Sequence, residues 1–375
     1  MGWFQKKSAL PTALARAPGV PEWLRTNGSS GEFASGYEAQ VEEVFRSNPI
    51  GQRAVRLVSG GVGALPVYSV KKQNAMAALV MAEGVLETIA SWLLLQGNSY
   101  VQLILGAGDV PVELVVLRPD KVSLKLDGRG QPVAIDYRGG GQVTRLPLTD
   151  PLGRRMVAHL KALNPLDDHY GLGCLDAAIA PATVHNRASR WNRTLLENAA
   201  RPSGALTYDP GDGSVLSAEQ FARLRTELEV LFSGADVAGR PLLLDGGMKW
   251  QALSMTPADM DFARLKEGAA RDIALAFGVP PVLVGLPGDA TYSNAREAGR
   301  ALTRQTVLPM GRRILAGLDA MLADWVGPIG LTINVDELSE LAEDRLKLWE
   351  AVTNVDFLSV AEKRDMLGFE AGTGA

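Results

Sequence analysis

The chain has 375 residues, 46% of them hydrophobic and 21% charged, with a formal net charge of −4. That is the balance of a folded protein of two or three domains, and it excludes a surface that grips nucleic acid everywhere, since such binding needs many cations on phosphates; a local basic stripe stays open. Cys174 is the only cysteine, which excludes an internal disulfide and suits a reducing compartment.

Residues 1–7 have no apolar run behind them and do not read as a secretory signal. Lys6 stands where a myristoylation motif has Ser or Thr. Residues 1–48, with Pro11, Pro18, Pro21 and the run TNGSSGEFASG, read as an irregular arm. From Asn48, the positions Ile50, Ala54, Val55, Leu57 and Val58 predict a helix ending at Gly60-Gly61. LPVYSV (65–70) predicts a strand. The most apolar window, 75–97, carries Glu83, Gly84 and Glu87. It predicts one buried helix over 75–96 capped by Gly97, not a membrane span. SYVQLIL, PVELVVL, KVSLKL, PVAIDY and QVTRLPL follow, punctuated by GAGD, LRPD, DGRGQ and RGGGQ, and predict an antiparallel meander. MVAHLKAL (156–163) adds a strand, so the first half reads as an α+β domain with an antiparallel sheet.

The texture changes at Gly171. Residues 174–199 predict a helix that Pro181 should break or kink. GALTYD predicts a strand, Ser217 and Gln220 a capping box opening a helix, and RPLLLDGGMKWQALSM a hairpin around Asp245-Gly246-Gly247. This β-α-β-β unit, 201–255, is bracketed by helices. The second has Thr256, Pro257 and Asp259 at its start, the stripe Phe262, Leu265, Ala269, Ile273 and Phe277, and an end at Gly278 and Pro280. FGVPPVLVGLPGDATYSNAREAG (277–299) then joins two helices by a connection longer than the usual two to eight or so residues. Asn294 and Glu297 are expected to cap a helix reaching Trp325 and kinked near Pro309. LTINVDEL predicts a strand, 339–353 a helix, and DFLSVAEKRDMLGFEAG a last short helical piece.

Positive evidence for catalysis is thin. SGGVGALP (59–66) contains a Gly-x-Gly, but a helix precedes it and a strand follows, the reverse of a dinucleotide fingerprint, so it reads as a turn. His159, His169 and His185 form no i, i+4 pair, which argues against a zinc site. His159 reads as a packed or surface strand side chain. Asp167-Asp168 falls in a turn and Asp259 with Asp261 in a helix's first turn, where acids suit the macrodipole. No Gly-x-Ser-x-Gly elbow and no Walker loop occurs. The expectation is a protein with no catalytic residues, no metal and no cofactor. Arg187, Arg190 and Arg193 recur every three residues, and read either as a solvated helix face or as a basic stripe facing an anion.

The order of YGLGCLDAA, ENAARPSGALTYD, the run from LSAEQFARLR to FGVPPVLVG, and TYSNAREAGRALTRQTVLPM resembles the portal proteins of tailed bacteriophages of the HK97 type. LLLQGNSYVQLI, the strand carrying His159 and the tail DFLSVAEKRDMLGFEAG fit the same order. The chain departs from that pattern in having Gly173-Cys174 where Ser-Pro is usual, and in a short C-terminal crown. The Ala-, Gly- and Arg-rich composition suits a high-GC host, and so a prophage or a gene-transfer particle.

The resemblance implies a portal-type α+β fold: an arm (1–45), a wing (46–170 and 295–353), stem helices (171–200 and 256–278), a clip (201–255), a tunnel-loop region (279–294) with a kinked long helix after it, and a short helical crown (354–375). It implies a ring of about twelve copies at one capsid vertex, assembled in the bacterial cytoplasm and carrying double-stranded DNA through its channel during packaging and ejection. Implied partners are the terminase large subunit, the major capsid protein and a head–tail adaptor, with no membrane. Leu286, Pro287, Gly288, Asp289, Ala290, Thr291, Tyr292, Ser293 and Asn294 would line the channel. Ala178, Ile179, Ala269 and Ile273 are expected to be stem positions that a lone subunit leaves exposed. Two rival readings are another connector or capsid ring component and a hydrolase with an unrecognised site.

Overall fold

In the computed structural model, which describes residues 36–197, 204–208, 217–231, 248–252, 262–286 and 292–367, α1 (Tyr37–Val41) runs into a π-helical turn at Glu42–Arg46. The expected irregular arm is therefore helical at its end. Tyr37 and Val44 are buried there, and apolar contact outweighs the loop-like composition. The rest of the arm lies outside the described residues.

Asn48 caps α2 (Pro49–Gly63), its side-chain oxygen accepting from the Ile50 and Gly51 N–H groups at 3.0 Å each. Ala54, Val55, Val58 and Val62 form its buried face. The helix runs past Gly60-Gly61, so the expected turn at SGGVG is its last turn instead. Close packing accounts for two of these glycines and not for Gly60: a Cβ on Gly61 would stand 2.9 Å from Val307 Cγ2, and one on Gly63 3.0 Å from Glu87 Cβ, while nothing lies within 4 Å of one on Gly60.

β1 (Val67–Ser69) follows. The expected single helix over 75–96 is two, α3 (Asn74–Val80) and α4 (Val85–Gln96), bent by 48° across the break between them, where Gly84 with φ 77° stands just before α4. Leu86, Ile89, Ala90, Leu93 and Leu94 of α4 are buried. Among the described residues no single helix is long and apolar enough to cross a membrane.

The strands are β2 (Asn98–Leu105), β3 (Pro111–Leu117), β4 (Val122–Leu126), β5 (Pro132–Gly139), β6 (Gln142–Pro147) and β7 (Val157–Lys161). They make two three-stranded antiparallel sheets, β3-β2-β7 and β4-β5-β6, in place of one meander. A 3-10 turn at Pro119–Lys121 parts β3 from β4, and β7 pairs with β2 with Tyr100 opposite His159. Tyr100, Leu117, Val122, Leu124, Ile135, Val157 and Tyr170 form one core cluster drawn from both sheets.

Asn98 ties this core to the chain leaving it. Its Nδ2 donates to the Gln96 and Gly171 carbonyls, 3.1 Å each, and its Oδ1 accepts the Gly171 N–H at 2.8 Å. An acceptor at Oδ1 requires His159 Nε2, 3.0 Å away, to carry the hydrogen. The imidazole stacks on Tyr100 with centroids 4.3 Å apart. His159 is thus packed, one of the two readings of its strand position. Burial, with Lys161 and His169 adding to it, lowers its pKa from 6.5 to about 3. Between those values the unfolded chain binds a proton that the folded chain refuses, so stability is full above about 6.5 and falls with acidification, by about 1.4 kcal/mol per pH unit. His159→Gln keeps an N–H for Asn98 and removes the titration. The wild-type melting temperature should drop more steeply than the variant's between pH 6.5 and 5; parallel curves would contradict this.

Beside Asn98 two backbone segments touch. The Ala162 N–H reaches the Gly97 carbonyl at 2.7 Å and the Cys174 N–H reaches the Leu94 carbonyl at 2.7 Å. A Cβ on Gly171 would lie 2.0 Å from the Gly97 oxygen, and one on Gly173 2.5 Å from the Leu95 oxygen. Gly97 is the expected C-cap of α4, with φ 76°. The Cys174 thiol beyond it is mostly enclosed, its pKa pushed up to about 11 by burial.

α5 (Leu175–Glu197) runs through Pro181 as one helix, so of the two expectations, a second segment or a kink, the first is not met. The described residues fall into two compact units, divided after Ile179 and before Ile273. In the unit Ala180–Asp272, β8 (Gly204–Tyr208) is followed by α6 (Ala218–Leu231), opened by the expected capping box: the Ser217 N–H donates to Gln220 Oε1 at 2.9 Å, and the Gln220 N–H to Ser217 Oγ at 3.2 Å. β9 (Met248–Ala252) pairs antiparallel with β8, Leu206 opposite Trp250. The expected strand RPLLLD and Thr256, Pro257, Asp259 and Asp261 lie outside the described residues. α7 (Phe262–Ala276) buries Ala269, Ala270, Ile273 and Ala274. Ala178, Ile179, Ala269 and Ile273 are all under 9% exposed in the single chain. The expectation that a lone subunit leaves them open is therefore overturned: their own chain covers them, and Leu265 and Leu275 are the exposed large residues of α7.

α8 (Tyr292–Leu302), a π-helical turn at Thr303–Val307 and α9 (Leu308–Val326) make up the helix expected to reach Trp325 with a kink near Pro309; the irregularity there is the π-helical turn. Pro309, in the first turn of α9, has no N–H for the Gln305 carbonyl, and the backbone widens over that turn. Ile314, Leu315, Leu318, Met321 and Leu322 are buried, and α9 packs on α4 and β7. β10 (Leu331–Ile333) pairs with β1, Ile333 opposite Val67. It is shorter than the expected LTINVDEL strand because Asn334 turns the chain, accepting from the Asp336 N–H. α10 (Ala342–Thr353) and α11 (Val360–Met366) follow, the second with Ser359 and Glu362 as a capping box.

Candidate functional site

The connection between α7 and α8 is more structured than its composition suggests. Gly278 turns left-handed (φ 67°) after α7, its N–H meeting the Leu275 carbonyl and the Val279 N–H meeting the Ala274 carbonyl, both at 2.9 Å. Thr306 Oγ1 donates to the Gly278 carbonyl at 2.8 Å, so the end of α7 is clipped to the π-helical turn beyond the loop. A 3-10 turn at Pro281–Val284 follows, closed by Gly285 with φ 80°. Leu286 is half-buried, its N–H 3.4 Å from the Pro281 carbonyl. Pro287, Gly288, Asp289, Ala290 and Thr291 lie outside the described residues. Tyr292, Ser293 and Asn294 belong to the first turn of α8 rather than to a loop, so Asn294 is not the cap. Ser293 and Asn294 are exposed. With Asn294 as the cap the helix would begin at residue 295, but it begins at Tyr292, three residues earlier.

The far half of α8 is fixed by charge. The Arg300 guanidinium, 10% exposed, bonds Glu343 of α10, and Arg296 and Lys347 approach the same carboxylate at 3.6 and 3.2 Å. Arg300's hydrogen bond first, then Lys347's, holds the Glu343 pKa below its usual range. Amide exchange over 292–302 in Arg300→Met should therefore speed up at least tenfold while the β2 amides keep their protection. Unchanged exchange in α8 would show that the ion pair does not hold it.

Arg187, Arg190 and Arg193 all lie exposed on α5, and each has an interaction partner. They are not brought near the loop by any described contact. Thr306 and Arg300, which fix the loop's two ends, were missed in the sequence. An Arg with a hydroxyl residue six positions later on one helix gives no signal by itself. Among the described residues no group of three or more His, Cys, Asp or Glu side chains is placed to hold a metal ion. The site thus presents two pinned helices, α7 and α8, at the ends of one connection.

The profile of the family "Phage portal protein" matches residues 49–368. The chain belongs to the phage portal protein family. The portal chain is 40% identical to a chain in the neck of the native gene transfer agent particle, computed with C12 symmetry; the likeness covers 95% of this chain and 97% of that one, with a TM-score of 0.71. It is 28% identical over 380 residues to the "Probable portal protein" of Streptomyces phage phiC31, covering 92% of this chain and 79% of that protein. An HK97-family phage portal protein from Corynebacterium diphtheriae shares the fold at 16% identity, TM-score 0.58, over 82% of this chain and 99% of that one. This is a portal protein of a capsid vertex, with the mixed helix-and-sheet portal-type fold that the order of motifs implied. The family is structural and not enzymatic.

Proposed function

We propose that the chain closes into a ring of about twelve copies, whose channel carries duplex DNA into and out of the particle. The observation that carries this is the 40% identity, across nearly both whole chains, to a protein of a neck computed with C12 symmetry. In this reading 46–170 and 295–353 are the wing, α5 and α7 the stem, 201–255 the clip, 354–375 the crown and 1–45 an arm. Leu265 and Leu275, 50% and 75% exposed on α7, are the stem side chains a neighbouring copy covers. Residues 286–294 face the channel: without a cation, and with Asp289, Thr291, Ser293 and Asn294 as polar side chains, they touch DNA without holding it. The clip meets the terminase large subunit during packaging and a head–tail adaptor afterwards, and the wing meets the major capsid protein. Assembly takes place in the bacterial cytoplasm, and the particle is a phage or a gene transfer agent. The terminase supplies the work of translocation.

Removing the chain from a particle-producing cell tests the reading. Heads lacking it should contain no nuclease-protected DNA. Heads with normal DNA content would contradict it. A nucleotide-hydrolysis assay on the purified ring separates it from a motor enzyme, and no turnover above buffer is expected.

A further inference from the structure

Charge is unevenly placed along this acidic chain. Residues 49–82 and 298–318 carry eight Lys and Arg and no Asp or Glu. Arg300 is committed to Glu343, and Arg304 has a partner of its own. Arg53 and Arg56 on α2, Lys71 and Lys72 after β1, and Arg312 and Arg313 on α9 are exposed, and they hold no ion pair among the described residues. By contrast Arg46, Arg118, Arg145, Arg154 and Arg345 each hold a carboxylate.

The two helices touch. Gly61 of α2 faces Val307, and a Cβ on Gly311 of α9 would stand 2.3 Å from Leu65 Cδ1, just beyond α2. Arg53 and Arg56 lie opposite the buried Val55, Val58 and Val62; Arg312 and Arg313 lie away from the buried Ile314, Leu315 and Leu318. Gln73 Nε2, next to Lys72, donates to the Val326 carbonyl at the end of α9. Of the acids on adjoining elements, Asp319 accepts the Leu331 N–H at 2.9 Å, Asp324 pairs with Arg155, and Glu87 stands beside Gly63.

We infer that these outward faces of α2 and α9 are a contact for the phosphate backbone of duplex DNA, separate from the channel loop. The alternative occupant is an acidic protein face. Protein interfaces are anchored by buried aromatic and aliphatic side chains with charge at the rim, yet no exposed large hydrophobic side chain lies on α2 or α9. A face of arginines without apolar anchors suits a regular polyanion read through its phosphates. A few such contacts per copy add a salt-sensitive hold without base specificity. The inference rests on the portal reading only for why duplex DNA lies near.

The test uses the assembled full chain and a 30-base-pair labelled duplex, with binding followed by fluorescence anisotropy from about 50 to 200 mM salt and assembly by light scattering. Light scattering reports on the portal reading, and the salt dependence on this inference. Each phosphate contact contributes about 0.9 to the slope of log affinity against log salt. Arg53→Gln with Arg56→Gln, and separately Arg312→Gln with Arg313→Gln, should each flatten that slope by about 2 with ring mass unchanged. Arg129→Gln with Arg138→Gln, exposed arginines of the β4-β5-β6 sheet region, should leave it as it was. The inference is overturned by no measurable binding, by slopes that stay put in both test pairs, or by an equal change in the control pair. Loss of ring mass in either test pair would assign the faces to a neighbouring copy and overturn it as well.

Discussion

Gly171→Ala should cost about 3–5 kcal/mol and leave little folded protein at 37 °C. The added methyl group meets the Gly97 oxygen at 2.0 Å, the Ala162 nitrogen at 2.7 Å and the Ala162 oxygen at 2.9 Å. None of these is the free end of a side chain. The Gly97 carbonyl already takes the Ala162 N–H, and the Gly171 N–H and carbonyl are both held by Asn98. Relief therefore means breaking hydrogen bonds among buried groups, each costing about 1–3 kcal/mol when left unmade. Such a loss is a large share of the roughly 5–15 kcal/mol that holds a domain together. Gly60→Ala is the opposite case: Gly60 is inside α2 and nothing lies within 4 Å of its added Cβ, so it should stabilise by about 0.5–1 kcal/mol. Thermal melts of both variants decide. A Gly171→Ala melting temperature within about 2 °C of wild type would show that this backbone crossing is looser than described.

Shortening the connection between α7 and α8 should have the largest effect on function with the least on folding. Deleting Gly288 to Thr291 and joining the ends with two glycines keeps Gly278, its Thr306 clip and all of α8. No described core residue is lost, so rings should form in normal yield. Particles carrying the variant should package little DNA, or lose it after packaging, by tenfold or more. Electron microscopy of the rings and DNA quantification in the particles read the two effects separately. Failure of ring assembly would place the segment between subunits, and intact rings with normal DNA content would leave it without a role in the channel.

Local chemistry was legible in the sequence wherever it depends on neighbours in the chain. Gly97, and Ser217 with Gln220, perform the capping that their spacing implied, and the helix expected from Asn48 begins there. Strands β2 to β7 also stand where alternation placed them. What failed depends on partners far along the chain. SGGVG read as a turn because its glycines weaken a helix, yet Val307 and Glu87, distant in sequence, make small residues the ones that fit. One meander became two sheets because β7, past two further hairpins, pairs with β2. Helix periodicity marks Ala269 and Ile273 as a buried stripe but not which chain buries it, and here it is their own. At the candidate site the loop's polar make-up was visible, and its anchors were not. Thr306 and Arg300 act through Gly278 and Glu343, contacts that no local pattern encodes.

The central claim is a closed ring of this chain, and the most direct measurement is electron microscopy of the purified full-length protein with its mass taken by light scattering. Copies of a 40.0 kDa chain joined head to tail around one axis should give end-on views with twelvefold symmetry and a mass of about 480 kDa. A protein that stays at the mass of one chain, alone and with capsid protein, scaffold and terminase added, would contradict the account.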